Sequence, residues 1–364
     1  MQTPINSFKV KRDLILYPIA QPTSLQAWDS ADELILAHFN QRDLKGKRIL
    51  VVNDSYGALS CALSEYDLTT YTDSYLSFKS IQINSRQRIQ PTNELRELSG
   101  IYDEVLIRIP KNMSFFEDIL CHLSQHLAPH SKVTCAYKIK HQAKASFDLL
   151  NQYIGETKTS LAQKKARLIF AEFQRVPVAS PYPLRVVIDL FETPFINHSN
   201  LFSREKLDIG TRFFLNHIPQ GAFPVILDLG CANGVIGIAA KKSHPSAKII
   251  FSDESKMAIQ SAITNYRHFF SDSAEFHWTH CFENQPAGSV HLVLCNPPFH
   301  QGHSLGNSIA RQMFTDAHRA LRPDGILHVI GNSHLNYPHL LRNIFGNSQI
   351  VATHAKFNII QAIK

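Results

Sequence analysis

The pattern of hydrophobic and polar positions repeats one unit twice along the chain: an apolar run of strand length, a turn of small residues, a helical stretch, and a second apolar run ending in an acid. In the second half, Val225-Ile226-Leu227-Asp228-Leu229 predicts a strand, residues 230–234 a turn, 235–242 a helix and 248–252 a strand before Asp253. In the first half, residues 48–52, 53–57, 58–64 and 68–72 predict the same elements before Asp73. Gly57 and Gly234 lie 177 positions apart, Asp73 and Asp253 180. A near-constant offset over successive elements predicts an internal duplication. The expected fold class is α/β: two tandem Rossmann-like domains, each with its ligand place at the carboxyl ends of the strands. Pro177, Pro181 and Pro183 punctuate residues 171–185 and predict a linker there, dividing the chain into domains 1–175 and 176–364.

A length of 364 residues with 44% hydrophobic and 18% charged residues suits two ordinary cores. No run of eighteen apolar residues occurs, and the N-terminus carries only the short run Leu14-Ile15-Leu16, so neither a membrane span nor a signal peptide is expected. Six scattered cysteines without a CxxC pair suggest reduced thiols and a cytoplasmic protein. The net charge of +7 suits a polyanion. It divides as 22 Lys and Arg against 18 Asp and Glu up to residue 175, and 15 against 12 after it. With no basic tail, a patch must be assembled by folding, and Lys138, Lys140, Lys144, Lys158, Lys164, Lys165 and Arg167 are the candidates; a solvated face accounts for them equally well. The histidines, His291, His300 and His303 included, show no metal-triad spacing, and no metal is expected.

The candidate chemistry lies in the second half. The turn Asp228-Leu229-Gly230-Cys231-Ala232-Asn233-Gly234 lets a ligand approach bare backbone. Asp253, nineteen residues past Gly234 at a strand end, is placed to accept hydrogen bonds from ribose hydroxyls. A nucleoside ligand follows. Ala232-Asn233-Gly234-Val235-Ile236-Gly237 is one substitution from the GxGxxG fingerprint, so a nicotinamide dinucleotide competes on these residues alone. What separates the two comes 43 residues after Asp253, where the strand His291-Leu292-Val293-Leu294-Cys295 enters Asn296-Pro297-Pro298-Phe299. Two prolines hold the backbone extended and fix acceptors at the strand end. If the Asn296 side-chain oxygen and the Pro297 carbonyl each take one N–H of a planar amine, its nitrogen can pyramidalise toward a sulfonium methyl, with Phe299 stacked on the ring. No strong general base is needed, because the methylated nitrogen is acidic.

With Asp-Leu-Gly-Cys-x-Asn-Gly, Asp-Glu-Ser and Asn-Pro-Pro-Phe-His in this order, the chain resembles the RlmG/RsmC group of ribosomal RNA guanine-N2 methyltransferases. The resemblance covers essentially the whole chain. The stretches Leu25-Gln26-Ala27-Trp28, Gly57-Ala58-Leu59-Ser60-Cys61-Ala62-Leu63, Lys164-Lys165-Ala166-Arg167-Leu168, Phe202-Ser203-Arg204 and Leu207-Asp208-Ile209-Gly210 read most like its large-subunit branch, RlmG. The resemblance implies methyl transfer from S-adenosylmethionine to a guanine N2 of large-subunit (23S) ribosomal RNA, by a chain expected to work as a monomer. It implies that Asp228, Gly230, Cys231, Asn233 and Gly234 form the cofactor loop and that Asp253 binds the ribose. His280 then stands at the adenine, Phe202, Asp208 and Gly210 close over the cofactor, and Asn296, Pro297, Pro298 and Phe299 hold the guanine. Two positions depart from the pattern: Ala232 replaces a glycine, and His280-Cys281 stands where an Asn- or Asp-bearing contact is usual.

The first half keeps the scaffold and lacks the acceptors. By the loop offset Val51 takes the place of Asp228, and Ile109 lies near that of Asn296. A degenerate domain that positions RNA is expected. A small-subunit ribosomal RNA, a protein glutamine as methyl acceptor, and a non-catalytic RNA-binding assembly factor are the competing readings.

Overall fold

The structure, a computed structural model, describes residues 14–18, 26–141, 144–298 and 304–364. The chain forms two compact units, Met1–Tyr182 and Pro183–Lys364, divided inside the proline-bearing stretch.

In the first unit, α1 (Ser30–Phe39), β1 (Arg48–Val52), α2 (Ala58–Ala62), β2 (Asp67–Tyr71), α3 (Tyr75–Asn84), β3 (Tyr102–Arg108), α4 (Met113–Ser124), β4 (Leu127–Lys138), α5 (Lys144–Tyr153), β5 (Thr157–Thr159) and β6 (Ala166–Glu172) follow in order. They form a six-stranded sheet ordered β2-β1-β3-β4-β6-β5. Strands β1 to β4 are parallel, and β6 runs antiparallel to both β4 and β5. Ile49, Leu50, Val51 and Val52 are all buried, as expected of a parallel strand covered on both faces.

The second unit runs β7 (Leu184–Val186), β8 (Phe195–Asn197), α6 (Ile209–Leu215), β9 (Val225–Leu229), α7 (Val235–Ser243), β10 (Lys248–Asp253), α8 (Lys256–Phe269), β11 (Glu275–Trp278), β12 (Val290–Cys295), α9 (Ser304–Ala320), β13 (Leu321–Asn332), α10 (Tyr337–Phe345), β14 (Gln349–Thr353) and β15 (Phe357–Ile363). Its seven-stranded sheet is ordered β11-β10-β9-β12-β13-β15-β14, parallel except that β15 is antiparallel to both neighbours. Alternation along the strands sends side chains to two cores. Ile226, Leu292 and Leu294 join Phe214, Ile236 and Phe251 on one face, while Leu227, Val293 and Cys295 join Phe314 and Leu341 on the other. The strand order reverses direction between β9 and β12, and such a switch point opens a crevice at the carboxyl ends of the strands. Among the described residues, no helix is long and apolar enough to cross a membrane, and no cluster of metal-ligating side chains occurs.

Candidate active site at the carboxyl ends of three adjacent strands

Register brings the sequence candidates together. Leu229 at the end of β9 pairs with Ser252 on one side and with Cys295 on the other. The next residues, Gly230, Asp253 and Asn296, therefore leave three neighbouring strands at one level. Gly230 and Cys231 donate their backbone N–H groups to the Ser252 carbonyl at 2.8 and 3.0 Å, closing the loop over the end of β10. Gly230 has φ +78°, and a Cβ there would meet the Met313 methyl at 3.1 Å. Ala232 also takes a left-handed φ, 47°, and its N–H donates to Asp253 Oδ2 at 2.9 Å. A methyl at the usual glycine position is thus accommodated, against the ordinary cost of that conformation.

Asp228 is fully buried. Its Oδ2 accepts the Gly237 N–H at 2.8 Å, and its Oδ1 has no donor among the described residues. Burial pushes its carboxyl up to about 7, against the Gly237 hydrogen bond. A Cβ at Gly237 would sit 2.3 Å from the Phe251 ring, so glycine lets the first turn of α7 close on both Asp228 and β10. Asp253 accepts from Ala232 and from Ser255 N–H at 2.9 Å each, one per oxygen, and the Glu254 N–H also bears on it. Burial raises its carboxyl as well.

Asn233 is committed to the scaffold. Its Nδ2 donates to Asn197 Oδ1 at 3.1 Å and its Oδ1 accepts from Val235 at 3.2 Å, while its carbonyl accepts from Asn265 at 3.0 Å. The Cys231 thiol is buried. His280 lies two residues past Trp278, the partner of Asp253, and burial lowers its pKa. The Ser252 hydroxyl donates to the Cys281 carbonyl and ties this loop to β10.

Asn296 donates its Nδ2 to the Thr211 hydroxyl at 3.1 Å, and its Oδ1 is buried without a donor among the described residues. Pro297 is buried and Pro298 exposed; Phe299 and His300 lie outside the described residues. Asp208 caps α6 by accepting the Thr211 N–H at 2.9 Å, which brings it and Gly210 to the Asn296 side of the site. Phe202 is 59% exposed beside Ser203, whose φ is 52°, and among the described residues no hydrogen bond or ring contact ties it to the other candidates. Thr211, Asn197 and Asn265 escaped the sequence reading. Only Thr211 left a signal there, three positions after Asp208 in the quoted stretch.

Two expectations for the first unit are corrected. Ile107 is the partner of Val52, so Arg108 rather than Ile109 takes the place beside β1 that Asn296 takes beside β9. An acid does serve there as Asp228 does, from a different backbone position. Asp54 accepts the Ser60 N–H at 2.8 Å, as Asp228 accepts that of Gly237, and also the Gly57 N–H at 3.0 Å and the Ser60 hydroxyl at 2.8 Å. An offset search matches backbone positions and misses a carboxylate that arrives three residues later.

Comparison with known proteins agrees with this geometry. Residues 2–175 match the RLMG N-terminal domain and residues 192–361 the Methyltransferase small domain. A ribosomal RNA large subunit methyltransferase G from Stutzerimonas stutzeri (strain A1501) is 42% identical over 97% of both chains. The chain belongs to the ribosomal RNA large subunit methyltransferase G family. A member of that family from Shewanella sp. (strain MR-4) is 38% identical over 100% of both chains. The fold is shared with a T. Thermophilus 16S rRNA N2 methyltransferase (RsmC) in complex with AdoMet and guanosine, at a TM-score of 0.79 and 18% identity over 92% of both chains. Membership of the large subunit family fits the α/β methyltransferase sheet at whose switch point these residues meet.

Proposed function

We propose that the second unit transfers a methyl group from S-adenosylmethionine to the exocyclic N2 of a guanine in large-subunit (23S) ribosomal RNA. The observation that carries this reading is the buried Asn296 Oδ1, without a donor among the described residues, at the strand end beside Gly230 and Asp253. An acceptor left open at that point needs a donor, and an exocyclic amine supplies one.

The residues fit the cofactor. Gly230 and Ala232 of the turn are half-buried and leave backbone partly uncovered, Asp253 stands beside them to accept from ribose hydroxyls, and Asp228 Oδ1 is a second acceptor without a partner among the described residues. His280 lines the adenine end, Cys231 and Asn233 shape the loop, and Asp208, Gly210 and Phe202 lie on the covering segment. When bound, the cofactor supplies an electrophilic sulfonium methyl. The Asn296 oxygen and the Pro297 carbonyl take the two amine protons, directing the nitrogen lone pair, and Pro298 and Phe299 hold the ring. Bound there, the cofactor would give up its methyl and be left as a thioether, and the methylated guanine nitrogen, acidic once alkylated, would give its proton to solvent.

In this reading the two domains, expected from the sequence as residues 1–175 and 176–364 and compact as Met1–Tyr182 and Pro183–Lys364, arose by duplication. Their sheets share the order of their central strands, and Thr92 bridges Tyr71 in parallel at the edge where β11 stands in the second sheet. The first unit is the degenerate copy and grips RNA. Lys140, Lys144 and Lys165 are exposed there, whereas Lys138 and Lys164 are engaged by Asp29 at 3.0 Å and Glu33 at 2.9 Å. A monomeric, cytoplasmic enzyme suits the free cysteines and a substrate met before or during ribosome assembly. The test is label transfer from tritiated S-adenosylmethionine to large-subunit RNA lacking the modification, followed by nucleoside digestion. N2-methylguanosine is expected; label in another nucleoside, in protein or in small-subunit RNA alone overturns the reading.

A further inference from the structure

The Asn296 amide has two ends, and only the oxygen suits an amine donor. Turned over, it would offer N–H groups to an incoming amine and accept nothing from it. What fixes its sense is the Thr211 hydroxyl, 3.1 Å from Nδ2. That hydroxyl also lies 3.4 Å from Asp208 Oδ2, the oxygen that accepts the Thr211 backbone N–H at 2.9 Å. A carboxylate only accepts, so the hydroxyl turns its hydrogen toward Asp208 and presents a lone pair to Asn296. A lone pair binds the amide nitrogen and rejects the amide oxygen. The relay therefore runs one way, from Asn296 Nδ2 to Thr211 to Asp208, and leaves Asn296 Oδ1 without a donor among the described residues.

The relay is held rigidly. Asp208 is the N-cap of α6, and Thr211 on its first turn is buried. A Cβ on the intervening Gly210 would lie 3.0 Å from Asp208 Oδ2 and 3.1 Å from the Phe357 ring, so α6 sits close against β15 with the carboxylate packed beneath it.

We propose that Thr211 is a positioning residue that sets the base specificity of the site: by holding the amide nitrogen of Asn296, it keeps the amide oxygen toward the substrate and selects a base edge bearing an N–H donor over one bearing a ring or keto acceptor. This rests on the reading of a guanine amine as methyl acceptor. Two hydrogen-bond acceptors facing each other repel, so a base with an oxygen at that edge is turned away by the same arrangement that directs the amine.

The test uses the full-length protein, large-subunit RNA lacking the modification, and three readouts: single-turnover methyl transfer, RNA KM, and S-adenosylhomocysteine affinity by calorimetry. Thr211→Val is expected to slow transfer by about tenfold or more, the equivalent of one lost hydrogen bond, with RNA KM and S-adenosylhomocysteine affinity held within about twofold. Thr211→Ser, which keeps the hydroxyl, should stay within about threefold of the parent rate. In an Asn296→Asp background both side-chain ends are acceptors, so adding Thr211→Val should cost less than about threefold, whereas a merely structural Thr211 would cost the same in both backgrounds. If Thr211→Val does not fold, Thr211→Ala removes the same hydroxyl and is judged by the same limits. The proposal is overturned if the hydroxyl-free variant transfers at the parent rate, if its loss of rate is matched by loss of cofactor-product affinity, if serine fails to rescue, or if the loss is equal in the two backgrounds. A parent enzyme that makes no N2-methylguanosine contradicts the proposed function itself, separately from any effect at Thr211.

Discussion

Arg108 stands in the first sheet where Asn296 stands in the second. Each follows the partner of the last residue of the central strand, Ile107 opposite Val52 and Cys295 opposite Leu229. Each reaches the first turn of the helix before that strand. Asn296 meets Thr211 on α6, capped by Asp208; Arg108 meets Asp32 on α1 and the cap Asp29 itself, at 3.0 Å. Lys138 adds a second cation 3.0 Å from Asp29. Burial raises the Asp29 carboxyl, but hydrogen bonds and charge from Arg108 and the bond from Lys138 outweigh this and hold it below the usual range. Where the second unit keeps an open acceptor, the first holds a closed ion cluster.

Breaking that cluster should damage the first unit and spare the site in the second. Arg108→Ala leaves the buried Asp32 without its cation and the half-buried Asp29 with Lys138 alone, a loss of about 3–5 kcal/mol. Urea denaturation should read that loss, while calorimetry still finds one S-adenosylhomocysteine site per chain with unchanged affinity. A loss below about 1 kcal/mol would mean the cluster is well solvated.

Asp253 follows Ser252, the partner of Leu229, whereas in the first sheet Thr72 follows Tyr71, the partner of Val52, so Asp73 falls one residue beyond the place its spacing predicts and the two acids should behave differently. If Asp253 holds the ribose as proposed, Asp253→Ala should weaken cofactor binding by about 1.5–3 kcal/mol, the scale of lost charge-assisted hydrogen bonds. Asp73→Ala should leave that affinity unchanged. Two equivalent sites in a titration of the parent protein would contradict the single-site reading.

The buried Asp228 carboxyl makes stability depend on pH. Its pKa in the folded chain is near 7, above the ordinary 3.8, so the native state holds a proton that the unfolded chain has released. Its contribution is complete below about pH 4 and is lost as pH rises through about 7. Asp228→Asn keeps an acceptor for Gly237 and cannot ionise. Without ligand, its Tm should equal or fall below the parent's at pH 5 and exceed it at pH 8, by a few degrees for each ~1 kcal/mol. Melting curves that stay parallel across this range would show that Asp228 ionises freely.

RNA affinity should reside partly in exposed cations of the first unit. Lys140→Ala, Lys144→Ala and Lys165→Ala together should weaken RNA binding and reduce the slope of log affinity against log salt by about 2, near 0.7–0.9 per lost phosphate contact. An unchanged slope would move the RNA grip elsewhere.

Much of this was legible in the sequence because strand, glycine turn and strand-end acid are local signals. Gly230, Asp253 and Asn296 were read as one site across 66 residues, and sheet register brings them to one level. What stayed hidden depends on side chains crossing between elements. Asp54 does the work of Asp228 from three residues further along, which no constant offset finds. Asn233 reads as a ligand contact from its place in the turn, and its amide also bonds Asn197 and Val235, which the sequence does not announce. The Thr211 hydrogen bond to Asn296 joins positions 85 residues apart with nothing local to announce it. Lys138 counts toward a basic patch in the sequence, and Asp29 pairs with it in the fold.

The account stands most directly on single-turnover methyl transfer by Asn296→Ala, measured beside its S-adenosylhomocysteine affinity. Losing the acceptor oxygen should slow N2-methylguanosine formation by at least about a hundredfold, the scale of a removed preorganised group, while the affinity stays within about twofold of the parent's. An Asn296→Ala enzyme that retains most of its transfer rate would contradict the claim that this oxygen directs the guanine amine.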